Sequence, residues 1–179
     1  TPDSFSDGGM FLDFNTALKR AEKMIEEGVD IIDIGGESTR PGSDAVSADE
    51  ELKRITPIIE AIKKISDIAI SVDTYKPEVM KEVIDMDVAM INDIFALQKP
   101  NAIDIIKKSN VGICLMHMQG TPKTMQLNPT YKNVVSEVRS FLEERANLIA
   151  NEGIGKTRII LDPGFGFGKT FEHNIDLLQ

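Results

Sequence analysis

The chain has 179 residues, of which 41% are hydrophobic and 27% are charged, a composition typical of one globular domain. Its net charge of −9 argues against a nucleic-acid or anionic-membrane partner, because both reward clustered Lys and Arg. No apolar run approaches the roughly 20 residues of a membrane span, no signal peptide is visible, and the single Cys114 cannot form an internal disulfide, so a cytoplasmic protein is expected.

Five short apolar runs alternate with helical patterns along the chain. In chain order they are VDIIDIGGESTR, IAISVDTY, VAMINDI, GICLMHM and RIILDPG. They are rich in β-branched residues and do not alternate with polar ones. This pattern indicates strands that are buried on both faces of a parallel sheet.

The segments between these runs have the periodicity of helices. A first helix is predicted from the helical spacing of apolar residues between Phe14 and Ile25, with Asp13 as a possible cap and Gly28 as the stop. Ser47 and Glu50 form a capping-box pattern at the start of a second helix, which Pro57 is expected to kink or divide. Two further helices are expected to begin near Pro77 and Pro100. The longest helix is predicted from about residue 133 to residue 151.

Strand and helix alternate without a linker or repeat, which predicts one α/β domain over residues 1–179. An open doubly wound sheet and a (β/α)8 TIM barrel are both compatible with this order. Barrel enzymes place their chemistry after every strand, whereas an open sheet concentrates it at one switch point. Polar residues end every run here: Asp33, Glu37, Asp73, Asn92, His117 and Asp162. We therefore favour the barrel, with about five of its eight β/α units in this chain.

The stretch LDPGFGFGKT, residues 161–170, invites comparison with a phosphate-binding loop. A P-loop requires a glycine five residues before Gly168, and Pro163 stands there. The dinucleotide fingerprint fails as well, because the spacing is Gly164-x-Gly166-x-Gly168. The loop therefore needs another explanation.

Six motifs in order identify a family that these residues resemble. They are TPDSFSDGG, DIIDIGGESTRPGS, SVDTYKPEV, INDI, MHMQGTPKTMQ and LDPGFGFGKT. Together they resemble dihydropteroate synthase of the folate pathway. The resemblance implies a TIM barrel that joins 4-aminobenzoate to 6-hydroxymethyl-7,8-dihydropterin diphosphate, with Mg²⁺ present. It also implies that sulfonamides bind as aminobenzoate mimics.

The resemblance also suggests that the chain is a fragment. It begins at Thr1 without a methionine, in a polar loop. By comparison with the family, the first strand with its asparagine and the last two strands would be absent. We expect these 179 residues alone to be loosely packed and inactive as a synthase.

The pterin site is assigned from both the residues and the resemblance. Carboxylates and amides suit the amino-pyrimidinone edge of a pterin, and Asp73, Asn92 and Asp162 supply that set. The family match adds three apolar contacts: Ile94, Met116 and Phe167. Helix capping is the alternative role for Asp73 and Asn92, since both precede helices.

The resemblance further implies catalytic and second-substrate residues. Asp73 would stabilise positive charge on the pterin methylene as diphosphate leaves, although it could instead only orient the ring. Thr39 would touch the diphosphate region, and Arg40 and Pro41 would border the aminobenzoate pocket. Two residues of the first loop, Phe5 and Asp7, would close over that pocket, with Asp7 meeting Arg40. Lys169 would be a nearby cation.

Three questions stay open at the level of sequence. His117 and His173 lack the spaced partners of a zinc site, so no protein metal ligand is assigned and His117 is interpreted as structural. A methyltetrahydrofolate-dependent methyltransferase would reuse the Asp, Asn and Asp set, and a non-catalytic pterin-binding module is also compatible. The expected partners are the two small-molecule substrates, and a homodimer is left open.

Overall fold

The computed structural model describes residues 14–40 and 42–179. Its centre is a parallel sheet of five strands, each formed by one of the five apolar runs. The strands are β1 (Ile31–Gly35), β2 (Ala69–Asp73), β3 (Met90–Asp93), β4 (Gly112–Met116) and β5 (Ile159–Asp162). Their spatial order is β1-β2-β3-β4-β5, the same as their order in the chain. The order of these described strands has no reversal, and hence no switch point of the doubly wound kind, so the prediction of a partial TIM barrel is confirmed.

Helices follow the strands and cover one face of the sheet. They are α1 (Phe14–Glu26), α2 (Ala48–Ile65), α3 (Pro77–Asp85), α4 (Ala102–Lys107), α5 (Val134–Asn151) and α6 (Phe171–Leu178). The strand residues that point toward these helices form the main core, as Ile34, Val72 and Ile91 illustrate. Side chains alternate between the two faces along each strand. The strand residues next to Ile34, Val72 and Ile91 in the sequence therefore point to the opposite face, here called the inner face. No helix among the described residues is long and apolar enough to cross a bilayer.

Pro57 does not divide its helix, and Pro100 does not occupy the first turn of one, contrary to expectation. Pro57 lies inside α2, which is nevertheless an unbroken helix of 18 residues. The proline is partly exposed, so the backbone carbonyl that loses its partner can bond water instead. Pro100 precedes α4 without entering it, because α4 begins at Ala102 after Asn101 adopts a left-handed φ of 68°. The other helix starts agree with prediction: Ser47 accepts a hydrogen bond from the Glu50 amide, and Pro77 occupies the first turn of α3.

Burial of the strands on both faces holds in the middle of the sheet but not at β5. The two end strands expose apolar side chains, with Ile31 40% exposed and Ile160 54% exposed. Within residues 14–40 and 42–179, no strand pairs with the outer edge of β5 or of β1. A strand at the end of the sheet has a neighbouring strand on one side only. Its side chains are therefore less covered than those of the middle strands.

Loops from distant strands meet at the carboxyl end of the sheet. Gly42 in the loop after β1 donates its amide to the carbonyl of Pro122, 3.4 Å away, in the loop after β4. Lys123 and Asp44 form an ion pair of 2.9 Å between the same loops. Two strands separate β1 from β4, so these contacts bridge the carboxyl end of the sheet, which is here called the cup.

Candidate functional site

The floor of the cup is a row of polar side chains on the inner face of the sheet. Strand register pairs Gly35 with Asp73, Asp73 with Asn92, and Asn92 with Cys114. Directly paired residues on parallel strands share a face, so Asp73 and Asn92 lie side by side. The register also pairs Asp33 with Ser71. They lie two residues before Gly35 and Asp73 on their strands, and therefore on the same face. Two of the three predicted pterin-binding residues are therefore brought together by pairing.

Of the two polar atoms in the Asn92 side chain, one has a hydrogen-bond partner among the described residues. Its Nδ2 donates to Oδ2 of Asp33 over 3.4 Å. Its Oδ1 is buried without a partner among the described residues, and the same holds for Oγ of Ser71. An unpaired buried polar atom costs roughly 1–3 kcal/mol. Such atoms on the site floor are suited to accept hydrogen bonds from a ligand.

The carboxyl group of Asp73 lies in strongly unfavourable surroundings for a charge. Burial, together with the neighbouring carboxylates of Asp33, Glu51 and Asp93, raises its pKa to about 8. Asp73 is therefore mostly protonated at pH 7 in the free protein. A shift of this size at a strand end is typical of functional sites.

Asp162 stands beside this row at the end of β5. It pairs with Met116 of β4, which is 4% exposed. Its Oδ1 accepts the amide of Gly164 at 2.7 Å, which turns the chain into the loop Pro163–Lys169, here called the glycine loop. The second predicted pterin-binding carboxylate is thus partly used to shape the backbone.

The glycine loop packs directly against the segment that follows β4. Gly164 has a φ of +67°, and a Cβ there would overlap the carbonyl oxygen of His117. At Gly168 a Cβ would lie 2.6 Å from the carbonyl oxygen of Gln119. The glycines therefore allow two backbone segments to touch, and no phosphate needs to be invoked for them.

Lys169, which the resemblance made a nearby cation, directs its ammonium group into the glycine loop. Its side chain is buried, and Nζ contacts the carbonyls of Gly164 (2.8 Å), Phe167 (3.0 Å) and His117 (3.3 Å) and Nδ1 of His117 (3.0 Å). These contacts use the hydrogen-bonding capacity of the ammonium group. Lys169 therefore stabilises the glycine loop by bonding the carbonyl groups on its buried side.

His117 is structural in its geometry, as the sequence had suggested. It is 7% exposed, and its ring meets Phe141 edge-on at 5.0 Å. Burial lowers its pKa to about 4, with a contribution from the charge of Lys169. The imidazole is therefore neutral at physiological pH and can accept the hydrogen bond from Nζ.

The remaining predicted residues surround this floor. Ile94 is 3% exposed and Phe167 is half-buried at the end of the glycine loop. Thr39 is half-buried and Arg40 is exposed in the loop after β1. Phe5, Asp7 and Pro41 lie outside the described residues.

Several buried polar residues around the site were not predicted from the sequence. Ser71 could have been found, because it lies two residues before Asp73 and must share its face. Asp93 was not singled out; it is fully buried and accepts the amides of Phe95 and Leu97 at 2.8 Å each. Glu51 lies in the acidic first turn of α2, yet it is 1% exposed. Cys114 is buried and free, as predicted.

The described residues contain no cluster of three or more His, Cys, Asp or Glu side chains arranged for a metal ion. The carboxylates on the floor are spread over separate strands; Asp33 accepts from Asn92, and Asp162 accepts from a backbone amide. A Mg²⁺ ion often takes only one or two protein ligands together with substrate phosphates. These residues are compatible with that mode and not with a cage made of protein alone.

Comparison with known proteins finds related sequences and similar structures. A family model described as pterin binding enzyme matches residues 1–179. The dihydropteroate synthase of Haemophilus influenzae is 53% identical over 179 residues, which is all of this chain and 65% of that protein. The chain thus spans about two thirds of the length of this relative.

Two solved structures are also similar. The dihydropteroate synthase of Yersinia pestis, in a sulfonamide drug complex, superposes with a TM-score of 0.93 at 45% identity, covering 99% of this chain and 64% of that one. The dihydropteroate synthase of Xanthomonas albilineans with 4-aminobenzoic acid gives a TM-score of 0.89 at 46% identity, covering 99% and 63%.

Proposed function

This chain belongs to the pterin-binding enzyme family, and from that membership we propose that the protein is a dihydropteroate synthase. In the proposed reaction the amine of 4-aminobenzoate attacks the methylene carbon of 6-hydroxymethyl-7,8-dihydropterin diphosphate. A C–N bond forms, the C–O bond to diphosphate breaks, and the amine loses one proton. The products are 7,8-dihydropteroate and diphosphate.

The observation that carries this proposal is the pairing of Asp73 with Asn92 on the floor of the cup. One presents a carboxyl group, and the other an amide whose Oδ1 has no partner in the described part of the chain. The amino-pyrimidinone edge of a pterin offers N–H donors beside a carbonyl, which is the complement of that pair. Asp162, Met116 and Ile94 would then complete the pterin pocket.

Asp73 has a second role in the proposal. The N–H groups of a bound pterin would stabilise its carboxylate, so binding should convert the neutral acid of the free site into an anion. That anion would favour the positive charge that develops on the methylene as diphosphate leaves. Calorimetry in two buffers of different ionisation enthalpy should therefore detect proton release on pterin binding at pH 7.

The second substrate is proposed to lie between the loop after β1 and the glycine loop. Arg40 supplies a planar cation suited to a carboxylate, and Thr39 supplies a hydroxyl for the diphosphate region. Phe167, also expected as an apolar contact of the pterin, offers an aromatic face to the 4-aminobenzoate ring. Phe5, Asp7 and Pro41 are proposed to close this pocket, with Asp7 meeting Arg40.

Further features of the proposal follow from the chemistry. Mg²⁺ would neutralise charge on the departing diphosphate, while the residues of this chain hold and orient the two organic substrates. A sulfonamide would compete with 4-aminobenzoate. We further propose a cytoplasmic location, in keeping with the free thiol of Cys114. A homodimer stays a prediction that sedimentation of the full-length protein would check.

The test is to supply the full-length protein with both substrates and Mg²⁺ and to measure diphosphate and dihydropteroate together. We expect stoichiometric formation of the two products and competition by a sulfonamide against 4-aminobenzoate. Tight pterin binding without diphosphate release would instead indicate a non-catalytic module. Methyl transfer from methyltetrahydrofolate, with no condensation, would replace the proposal by the methyltransferase alternative.

A further inference from the structure

The loop after β1 is closed by a single buried carboxylate. Glu37 is 7% exposed, and its two oxygens receive three donors from separate parts of the chain. Oε1 accepts the hydroxyl of Tyr75 at 2.7 Å, and Oε2 accepts Nζ of Lys76 at 2.5 Å and the amide of Val46 at 2.9 Å. Hydrogen bonds to an ionised acceptor are about twice as strong as neutral ones.

The position of these contacts in the chain gives them a specific effect. Glu37 comes immediately before residues 38–45, and Val46 comes immediately after them. The bond from the Val46 amide to Glu37 therefore joins the two ends of the segment that carries Thr39 and Arg40. Inside the segment, Oγ of Ser43 donates to the carbonyl of Ser38 at 2.6 Å.

We infer that Glu37, held by Tyr75 and Lys76, is a positioning residue that sets the conformation of residues 38–45 and thereby the affinity for 4-aminobenzoate. These three residues are called the clasp below. The inference rests on the proposed function for the identity of the substrate. The evidence for the clasp is the set of contacts that Glu37 makes and the contact between Lys76 and α2.

That support comes from α2. Nζ of Lys76 also contacts Oε2 of Glu51, which is 1% exposed, so one ammonium group bridges two buried carboxylates. Gly36 permits this approach, because a Cβ there would lie 2.8 Å from Cγ of Glu51. Although burial raises the pKa of Glu37, its hydrogen bonds from Lys76 and Tyr75 hold it below the usual value. Glu37 is therefore ionised at neutral pH, and the clasp is anchored to α2.

Tyr75 connects the clasp with the pterin side of the cup. Its ring meets Phe95 edge-on at 4.9 Å, and Phe95 directly follows the proposed pterin contact Ile94. Yet its hydroxyl donates to Glu37, and within the described part of the chain no hydrogen bond joins it to Asp73 or Asn92. Removing that hydroxyl should therefore alter the loop of residues 38–45 and leave the pterin pocket in place.

The test uses the full-length protein with Tyr75→Phe and Glu37→Gln. The first removes one donor to the carboxylate, and the second removes the negative charge that receives all three donors. Glu143→Gln is the matched control, since Glu143 is paired with Arg139 on the exposed side of α5. Four quantities are measured for each variant: the Michaelis constant for the aminobenzoate substrate, kcat, the Kd of the pterin substrate, and the rate of amide hydrogen exchange in residues 38–46.

We expect Tyr75→Phe to raise the Michaelis constant for the aminobenzoate substrate by roughly ten-fold, as loss of a bond to a charged group implies. Glu37→Gln should raise it more. The pterin Kd and kcat should stay within about two-fold of the parent, and exchange of residues 38–46 should be faster. The control should match the parent.

The inference is overturned if Tyr75→Phe leaves the Michaelis constant for the aminobenzoate substrate unchanged, or if the pterin Kd rises by the same factor. If the parent protein forms no dihydropteroate, the proposed function fails by itself. In that case hydrogen exchange decides the clasp: faster exchange of residues 38–46 in both variants supports it, and unchanged exchange overturns it.

Discussion

Nζ of Lys169 lies 3.0 Å from Nδ1 of His117, in the buried space between the glycine loop and the end of β4. Burial lowers the pKa of the lysine to about 8 and that of the histidine to about 4. Near pH 7 the lysine is therefore charged and the histidine neutral, which is the combination that a single hydrogen bond requires. Since Nζ also contacts three carbonyls, this pair ties the glycine loop to β4.

Replacing this lysine should destabilise the protein. Lys169→Met leaves the carbonyls of Gly164 and Phe167 without their charged partner, and we expect a loss of roughly 2–4 kcal/mol in the free energy of unfolding. Denaturant unfolding of the full-length protein measures it. Lys156→Met, at an exposed lysine that bonds Asn147, is the control and should change stability little. Equal losses in the two variants would contradict the proposed loop anchor.

Two glycines of the loop should respond differently to the same substitution. Gly164→Ala places a methyl group against the carbonyl of His117 and should reduce the yield of folded protein severely. Gly166 has a similar φ of +82°, but no atom of the described residues lies within 4 Å of its Cβ position. Gly166→Ala should therefore cost only the backbone strain of about 1–2 kcal/mol. Thermal unfolding of both variants would reveal the contrast, and similar Tm values would contradict the close backbone contact.

The raised pKa of Asp73 predicts how stability depends on pH. The folded pKa of about 8 lies above the unfolded value near 4, so the stability associated with this proton is complete below pH 4 and is lost as pH rises toward 8. Asp73→Asn cannot ionise. Its Tm should exceed that of the parent by about 5 °C or more at pH 8 and match it near pH 4.

Asp67→Asn is the control for this prediction, because Asp67 lies at the surface just before β2 begins. Its Tm difference from the parent should be the same at both pH values. A difference for Asp73→Asn that is likewise independent of pH would show that Asp73 is already ionised in the free protein at pH 7.

Pterin recognition is tested most directly at Asn92. Asn92→Ala removes the buried Oδ1 on the site floor and the donor to Asp33, so pterin affinity should fall by about 1–3 kcal/mol. Titration calorimetry of the full-length protein measures this change, with Asn110→Ala, after α4 and before β4, as control. Unchanged affinity in Asn92→Ala would remove Asn92 from the pterin site.

The sequence by itself determined the elements and the candidate chemistry. Each of the five apolar runs became a strand, because β-branched apolar runs bounded by turns have few other stable states. The polar ends of those runs marked Asp73, Asn92 and Asp162 before any geometry was available. The order of the motifs was sufficient to indicate the family.

Only the tertiary structure decided which polar groups are free to meet a ligand. Lys169, expected as a nearby cation, is enclosed by its own loop, while Glu51, in the acidic first turn of α2, is buried beneath the clasp. The bond between Glu37 and Val46 was likewise not visible in any motif. The physical reason is that the periodicity of apolar residues in the sequence indicates only which face of a helix or strand a residue occupies. Hydrogen bonds between loops depend instead on how the strands are paired and curved.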